Sequence, residues 1–143
     1  MSPQWFLLLM LAVTLGAYGA HRMGRSRTRR GLRRLAASCQ MHYVQDDLFN
    51  IAPRIEKNWP IPDCGEFRAV DLIYGTLAGE HRFVFSVHFT LGPLDGYGRE
   101  LRVATFAESC DGCCKRNPTV ILAGREGSLL DQYQRLLRGE VDS

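Results

Sequence analysis

Lysine is almost missing from this chain, with two residues against sixteen arginines, and the first 40 residues contain no acid at all. The scarcity of lysine points to genomic base composition as the reason arginine fills the basic positions. The missing acids leave Arg22, Arg25, Arg27, Arg29, Arg30, Arg33 and Arg34 uncompensated. Residues 1–20 have no charged side chain of either sign. No period and no biased tract recurs, which excludes collagen-like, mucin-like and solenoid classes. G-x-S-x-G, Walker-type, G-x-G-x-x-G and H-E-x-x-H patterns are absent, so no nucleophile elbow, phosphate loop or paired-histidine zinc site has support in the sequence.

What is present suffices for one small domain. The 143 residues are 45% hydrophobic and 23% charged, which excludes a disordered polar chain and leaves room for a single core. About 100 residues of this composition bury somewhat over 60% of their extended-chain surface, enough to fold without disulfides or metal. The net charge of +3 conceals a division. Residues 1–40 are basic throughout, while residues 41–143 carry eleven bases against fifteen acids and are mildly acidic.

The uncharged start, with Trp5-Phe6-Leu7-Leu8-Leu9-Met10-Leu11-Ala12-Val13 at its centre, has a length of 18 to 20 residues. As a helix rising about 1.5 Å per residue it covers roughly the 30 Å of a bilayer's hydrocarbon core. Trp5 and Tyr18 stand near its two ends, where amphipathic rings favour the headgroup level. The competing reading is a cleaved signal peptide, and Ala17-Tyr18-Gly19 offers a small-x-small site. Signal peptides place their positive charge before the apolar run; here the arginines follow it. Arginine-rich flanks stay on the cytoplasmic side, so the expectation is an uncleaved single-pass anchor in a cell inner membrane with the C-terminal domain cytoplasmic. The division expected is 1–21 as anchor, 22–40 as a basic juxtamembrane helix or linker, and 41–143 as the domain.

The arginine cluster Arg22 to Arg34 either fixes topology alone or also attracts anionic lipid headgroups, at about 1 kcal/mol per residue near a surface. Nucleic-acid binding is disfavoured, because no aromatic interleaves the arginines and the rest of the chain is acidic.

In the soluble part, Leu32, Leu35 and Ala36 suit a helix continuing or restarting after the membrane, with Gly24 and Gly31 as weak points. Met41 to Val44 reads as a short strand, and Asp46 to Ala52 as a short helix opened by an acidic cap, which Arg54 to Lys57 extend. Phe67 to Leu77 and His81 to Leu91 flank a glycine-containing connection and form a hairpin. Phe83, Phe85, Val87 and Phe89 alternate with Val84, Ser86 and His88, giving one heavily apolar face. Arg99 to Glu108 and Thr119 to Ala123 add further strands. Ser128 caps a helix to about Arg138, with Asp131 in the capping-box position and Gly139 at the C-cap. The fold expected is α+β: an N-terminal transmembrane helix, then a small antiparallel sheet of three to four strands packed by a C-terminal helix.

Cysteine is the chemically suggestive residue. Cys110-Asp111-Gly112-Cys113 has the C-x-x-C spacing that lets two thiolates meet one tetrahedral ion or form a disulfide. A structural zinc needs four ligands, so Cys64 and Cys114 would have to be recruited; no cofactor is assigned, and zinc is a candidate the spacing allows. A redox reading competes, with Lys115 and Arg116 stabilising a thiolate, although no strand–helix context follows the motif. The third reading is incidental reduced loop thiols, which fits a cytoplasmic placement and five cysteines. Histidines His21, His42, His81 and His88 occur singly. Asp46 and Asp47 read as caps, and Asp71 as a solvent-facing strand acid. No catalytic residue is assigned.

Leu35-Ala36, Met41-His42-Tyr43 and Asp47 to Ile55, followed by Val70 to Gly75 and Arg82 to Val87, resemble uncharacterised small bacterial single-pass membrane proteins. In those, an N-terminal helix and basic collar precede a compact domain. The resemblance covers about residues 1–108, excludes the cysteine segment and implies no activity. Together the observations lead us to expect a membrane-anchored chain with a non-catalytic binding domain for a protein partner or the anionic membrane surface, or else a metal or thiol-redox module centred on Cys110 and Cys113.

Overall fold

The computed structural model describes residues 2–92, 98–109 and 118–140. Helix α1 runs without a break over Pro3–Ser38, so neither Gly24 nor Gly31 interrupts it. Gly31 instead lies where α1 crosses the C-terminal helix: a Cβ there would stand 3.5 Å from Leu130 Cδ2. At 36 residues α1 is about 54 Å long, nearly twice what a bilayer core requires. It is long and apolar enough to cross a membrane, and the apolar stretch is bare of protein contacts. Trp5, Phe6, Leu7 and Leu9 each expose more than 60% of their surface.

Among the described residues five strands follow as one antiparallel meander in sequence order: β1 (His42–Asp46), β2 (Cys64–Leu77), β3 (Glu80–Leu91), β4 (Arg99–Ser109) and β5 (Ile121–Leu122). The count exceeds the expected three to four because both short edge segments join the sheet. Helix α2 (Ile51–Glu56) lies between β1 and β2, and α3 (Leu129–Arg138) ends the fold. The β2–β3 hairpin turns on Ala78 and Gly79, both at positive φ (52° and 79°), the pairing a type I′ turn needs.

The short helices start where local chemistry dictates. Asp47 caps α2 from outside, its carboxylate oxygens accepting from the Ile51 and Ala52 amides at 2.8 and 3.0 Å. The helix therefore opens later than Asp46-Asp47 implied. In α3 the Ser128–Asp131 capping box is complete and Gly139 takes the left-handed C-cap at φ 76°.

The sheet is buried on both faces. Phe83, Phe85, Val87 and Phe89 of β3 pack with Ala104 and Phe106 of β4 beneath Ile51, Ile55 and Trp59, so α2 and its following loop cover the phenylalanine face. The opposite face, with Ile73, Val84 and Val103, is covered by α3 through Tyr133, Leu136 and Leu137. Leu32 and Ala36 of α1 join this second core at 0% and 1% exposure. The last turns of the long helix are thus a wall of the domain, and the apolar stretch continues from it as one unbroken helix.

Candidate functional site

The side of the sheet facing α1 carries an arrangement that alternation along β2 does not give. Strand β2 slips register against β3 twice, between Gly65 and Arg68 and between Val70 and Ile73. Each slip inserts one extra residue, and each bulge places an acid at positive φ: Glu66 at 50° and Asp71 at 53°. Strict alternation from Leu72 would put Asp71 and Ile73 on the α1 side but Val70 on the phenylalanine face. The bulge lets both Val70 and Ile73 keep the α1 side while Asp71 swings out beside them.

Asp71 consequently is not a solvent-facing strand acid. Its side chain is 14% exposed and its Oδ1 stands 3.6 Å from Arg29 Nε of α1. The Tyr43 hydroxyl donates to the same oxygen at 2.6 Å. The Arg33 guanidinium lies over the Tyr43 ring, 5.5 Å from its centroid. Behind this group the Tyr133 hydroxyl donates to the Asp71 main-chain carbonyl at 2.6 Å and lies 2.8 Å from Ser86 Oγ. Burial pushes the Tyr133 phenol above its ordinary range. Burial does the same for Tyr43, reinforced by its bond to the Asp71 carboxylate. Both phenols are therefore held protonated as donors.

Two adjoining cavities of about 420 and 540 Å³ open between α1 and this face, sharing Arg25, Val70 and His88. The smaller is completed by Glu66, Arg68 and Arg99; the larger includes His21, Asp71, Ser86, Leu101 and Leu129. Arg68 and His88 are direct cross-strand partners, so their side chains rise from the sheet together. Burial lowers the His88 pKa, and the Arg25 and Arg68 guanidiniums push it further down, against the opposing Asp71 carboxylate. The imidazole sits in a net positive field.

Ser86, His88 and Asp71 are the residue types of a hydrolytic triad and line one cavity, yet their hydrogen bonds run elsewhere. Tyr133 gives its proton to the Asp71 carbonyl, so it accepts from Ser86, and the serine hydroxyl is committed to a phenol and fully buried. The Asp71 carboxylate is engaged by Tyr43 and Arg29, not by His88. What the arrangement does chemically is present cationic donors in a half-open cleft.

The chain matches no family model, no curated protein and no solved structure.

Neither Cys39 nor Cys64 lines this cleft. Cys110, Cys113 and Cys114 lie outside the described residues. Cys64, the ligand they would have to recruit, is half-buried at the start of β2 with its thiol 3.6 Å from the Pro62 carbonyl. Burial pushes that thiol above its usual pKa, with Glu100 and Asp63 adding in the same direction. Cys39 is exposed at the end of α1. Among the described residues no three His, Cys, Asp or Glu side chains gather as a metal would require. His42 and His81 line a third cavity of about 610 Å³ with Phe49, Tyr74 and Phe83.

Sequence reasoning isolated Asp71 and His88 singly but not their neighbours. Arg68 and Arg99 fall within the expected strands and Tyr133 within the expected C-terminal helix, with nothing local to mark them. The legible signal was the even-numbered alternation of β3, which puts Ser86 and His88 on one side; it needed the strand pairing to bring Arg68 opposite.

Proposed function

We propose that this chain is a single-pass inner-membrane protein whose α+β domain is held on the cytoplasmic surface as a non-catalytic binding module for the anionic bilayer surface. The observation that carries the reading is the continuity of α1. One helix joins a bare apolar stretch to a domain core that owns its last turns, through Leu32 and Ala36. From Ala20 to Leu32 is twelve residues, about 18 Å along the helix axis, so the domain's anchor point follows the hydrocarbon boundary closely. Moving from Leu32 towards the N-terminus, α1 passes Asp71 at Arg29 and then His88 at Arg25, so the strands extend alongside it in the direction of the apolar stretch. The seven arginines between Arg22 and Arg34 favour retention of this end in the cytoplasm. The same charges attract anionic headgroups.

Alkaline carbonate extraction of membranes tests the anchor, and protease treatment of spheroplasts with a tag after Ser143 tests the side. The expected result is a chain that stays in the pellet and a tag protected until the cells are lysed. Release by carbonate, or digestion of the tag in intact spheroplasts, overturns the reading.

A further inference from the structure

The cleft beside α1 has a composition that a general basic collar does not require. Three guanidiniums from three different elements meet there: Arg25 of α1, Arg68 of β2 and Arg99 of β4. The one carboxylate among them, Glu66, lies 3.6 Å from Arg99. Among the described residues, neither Arg25 nor Arg68 has a carboxylate within ion-pair distance. The half-buried His88 imidazole lines the same cleft, opposite Arg68 in the sheet. Guanidiniums that flank an imidazole supply fixed N–H donors to a tetrahedral oxyanion, in the geometry that favours phosphate.

Resting on the anchored reading above, we propose that Arg25, Arg68 and His88 form a binding site for the phosphate group of an anionic phospholipid headgroup, with Arg99 at its rim. Depth selects the lipid as the source. Arg25 lies five residues beyond Ala20, about 7.5 Å along the axis, which is the thickness of a headgroup layer. The adjoining cavity continues the site with apolar surface from Ala20, Leu101 and Leu129. Leu101 remains 45% exposed, an unpaid apolar surface of the kind glycerol and the first acyl methylenes would cover. The site is tertiary: it draws on one α1 arginine and on two strands of the acidic half of the chain. Arginines on the outer side of α1 have no part in it.

The full chain in neutral detergent micelles is titrated with dihexanoyl phosphatidylglycerol, dihexanoyl phosphatidylcholine and inorganic phosphate, following the His88 ring signals by NMR. Phosphatidylglycerol is expected to shift those signals and to bind at least about tenfold more tightly than either of the others, the value of one charge-assisted contact set. Arg68→Gln is expected to weaken it about tenfold, and Arg138→Gln, at the far end of α3, to leave it unchanged. Arg68 is exposed, so its variant keeps the fold; His88→Gln provides a second removal. Equal binding of the glycerol and choline lipids, or indifference to Arg68→Gln, overturns the site. Inorganic phosphate binding as tightly as the lipid overturns the headgroup assignment. A flat titration in a chain that carbonate leaves in the membrane removes this site alone. Carbonate release with the lipid titration intact removes the anchored reading and leaves the site.

Discussion

Tyr133 of α3 donates its hydroxyl proton to the main-chain carbonyl of Asp71, 2.6 Å away, at the point where β2 leaves register with β3. A bulge frees a carbonyl from the ladder, and buried carbonyls need a donor. The helix supplies it from a side chain with 0% exposure, so the position of α3 and the shape of the bulge depend on one another.

Tyr133→Phe is therefore expected to lower stability by about 1–3 kcal/mol, by leaving the Asp71 carbonyl and the Ser86 hydroxyl buried without this partner. The same phenol sets an alkaline limit. Burial raises its pKa in the fold, as it does for Tyr43, whereas in the unfolded chain tyrosine ionises near pH 10. The stability so gained is complete below about pH 10 and is lost as pH rises beyond it, since the unfolded state then releases protons that the folded state retains. Thermal unfolding in mild detergent between pH 8 and 11 checks both points (roughly the tyrosine range), and the slope is expected to shrink in the phenylalanine variant.

Two truncations separate anchor from wall. Removal of residues 1–20 takes away the exposed apolar stretch and keeps Leu32 and Ala36 in place, so a folded, detergent-independent domain is expected. Removal of residues 1–39 takes Leu32 and Ala36 out of the second core and uncovers its α1 side, and aggregation is expected. Leu32→Ala in the shorter truncation should cost about 2–5 kcal/mol, the range for emptying a buried leucine site. Size-exclusion chromatography and denaturant titration read the outcomes.

Ala78→Asn should stabilise the protein. Ala78 holds φ at 52° in the hairpin turn and is solvent-exposed. Alanine has no side-chain compensation for the left-handed region, which costs about 1–2 kcal/mol, and asparagine tolerates it; a gain of about 1 kcal/mol is expected. A lowered unfolding midpoint in urea would contradict the turn geometry.

His88 predicts an acid-side slope. Its pKa is lowered first by burial and then by Arg25 of α1 and Arg68 of β2, with Asp71 of β2 opposing and Arg99 of β4 assisting. Unfolding restores an imidazole that takes a proton near pH 6.5. The stability contributed is present above that value and falls as pH drops, because the unfolded state then binds the extra proton. His88→Gln should flatten the dependence between about pH 5 and 7.

Much of the architecture was legible. The α+β class, the hairpin, the faces of β3 and the Ser128–Asp131 cap follow from patterns spanning a few residues, and the structure has them. The helix over Leu32 to Ala36 was legible as well, but not its place in the core, since a residue's periodicity does not name its neighbour. Asp71 misled for a related reason: an acid in a strand reads as exposed unless the bulge beside it is known.

The sequence by itself determined the charge division, the bare apolar stretch of α1 and the local elements, because hydropathy period and capping chemistry act between residues close along the chain. Only the tertiary structure decided that Arg25, Arg68 and His88 share a cleft and that Tyr133 serves Asp71. Those relations depend on strand register and on where a helix crosses a sheet, and both are fixed by the packing of two cores whose members lie up to about a hundred residues apart.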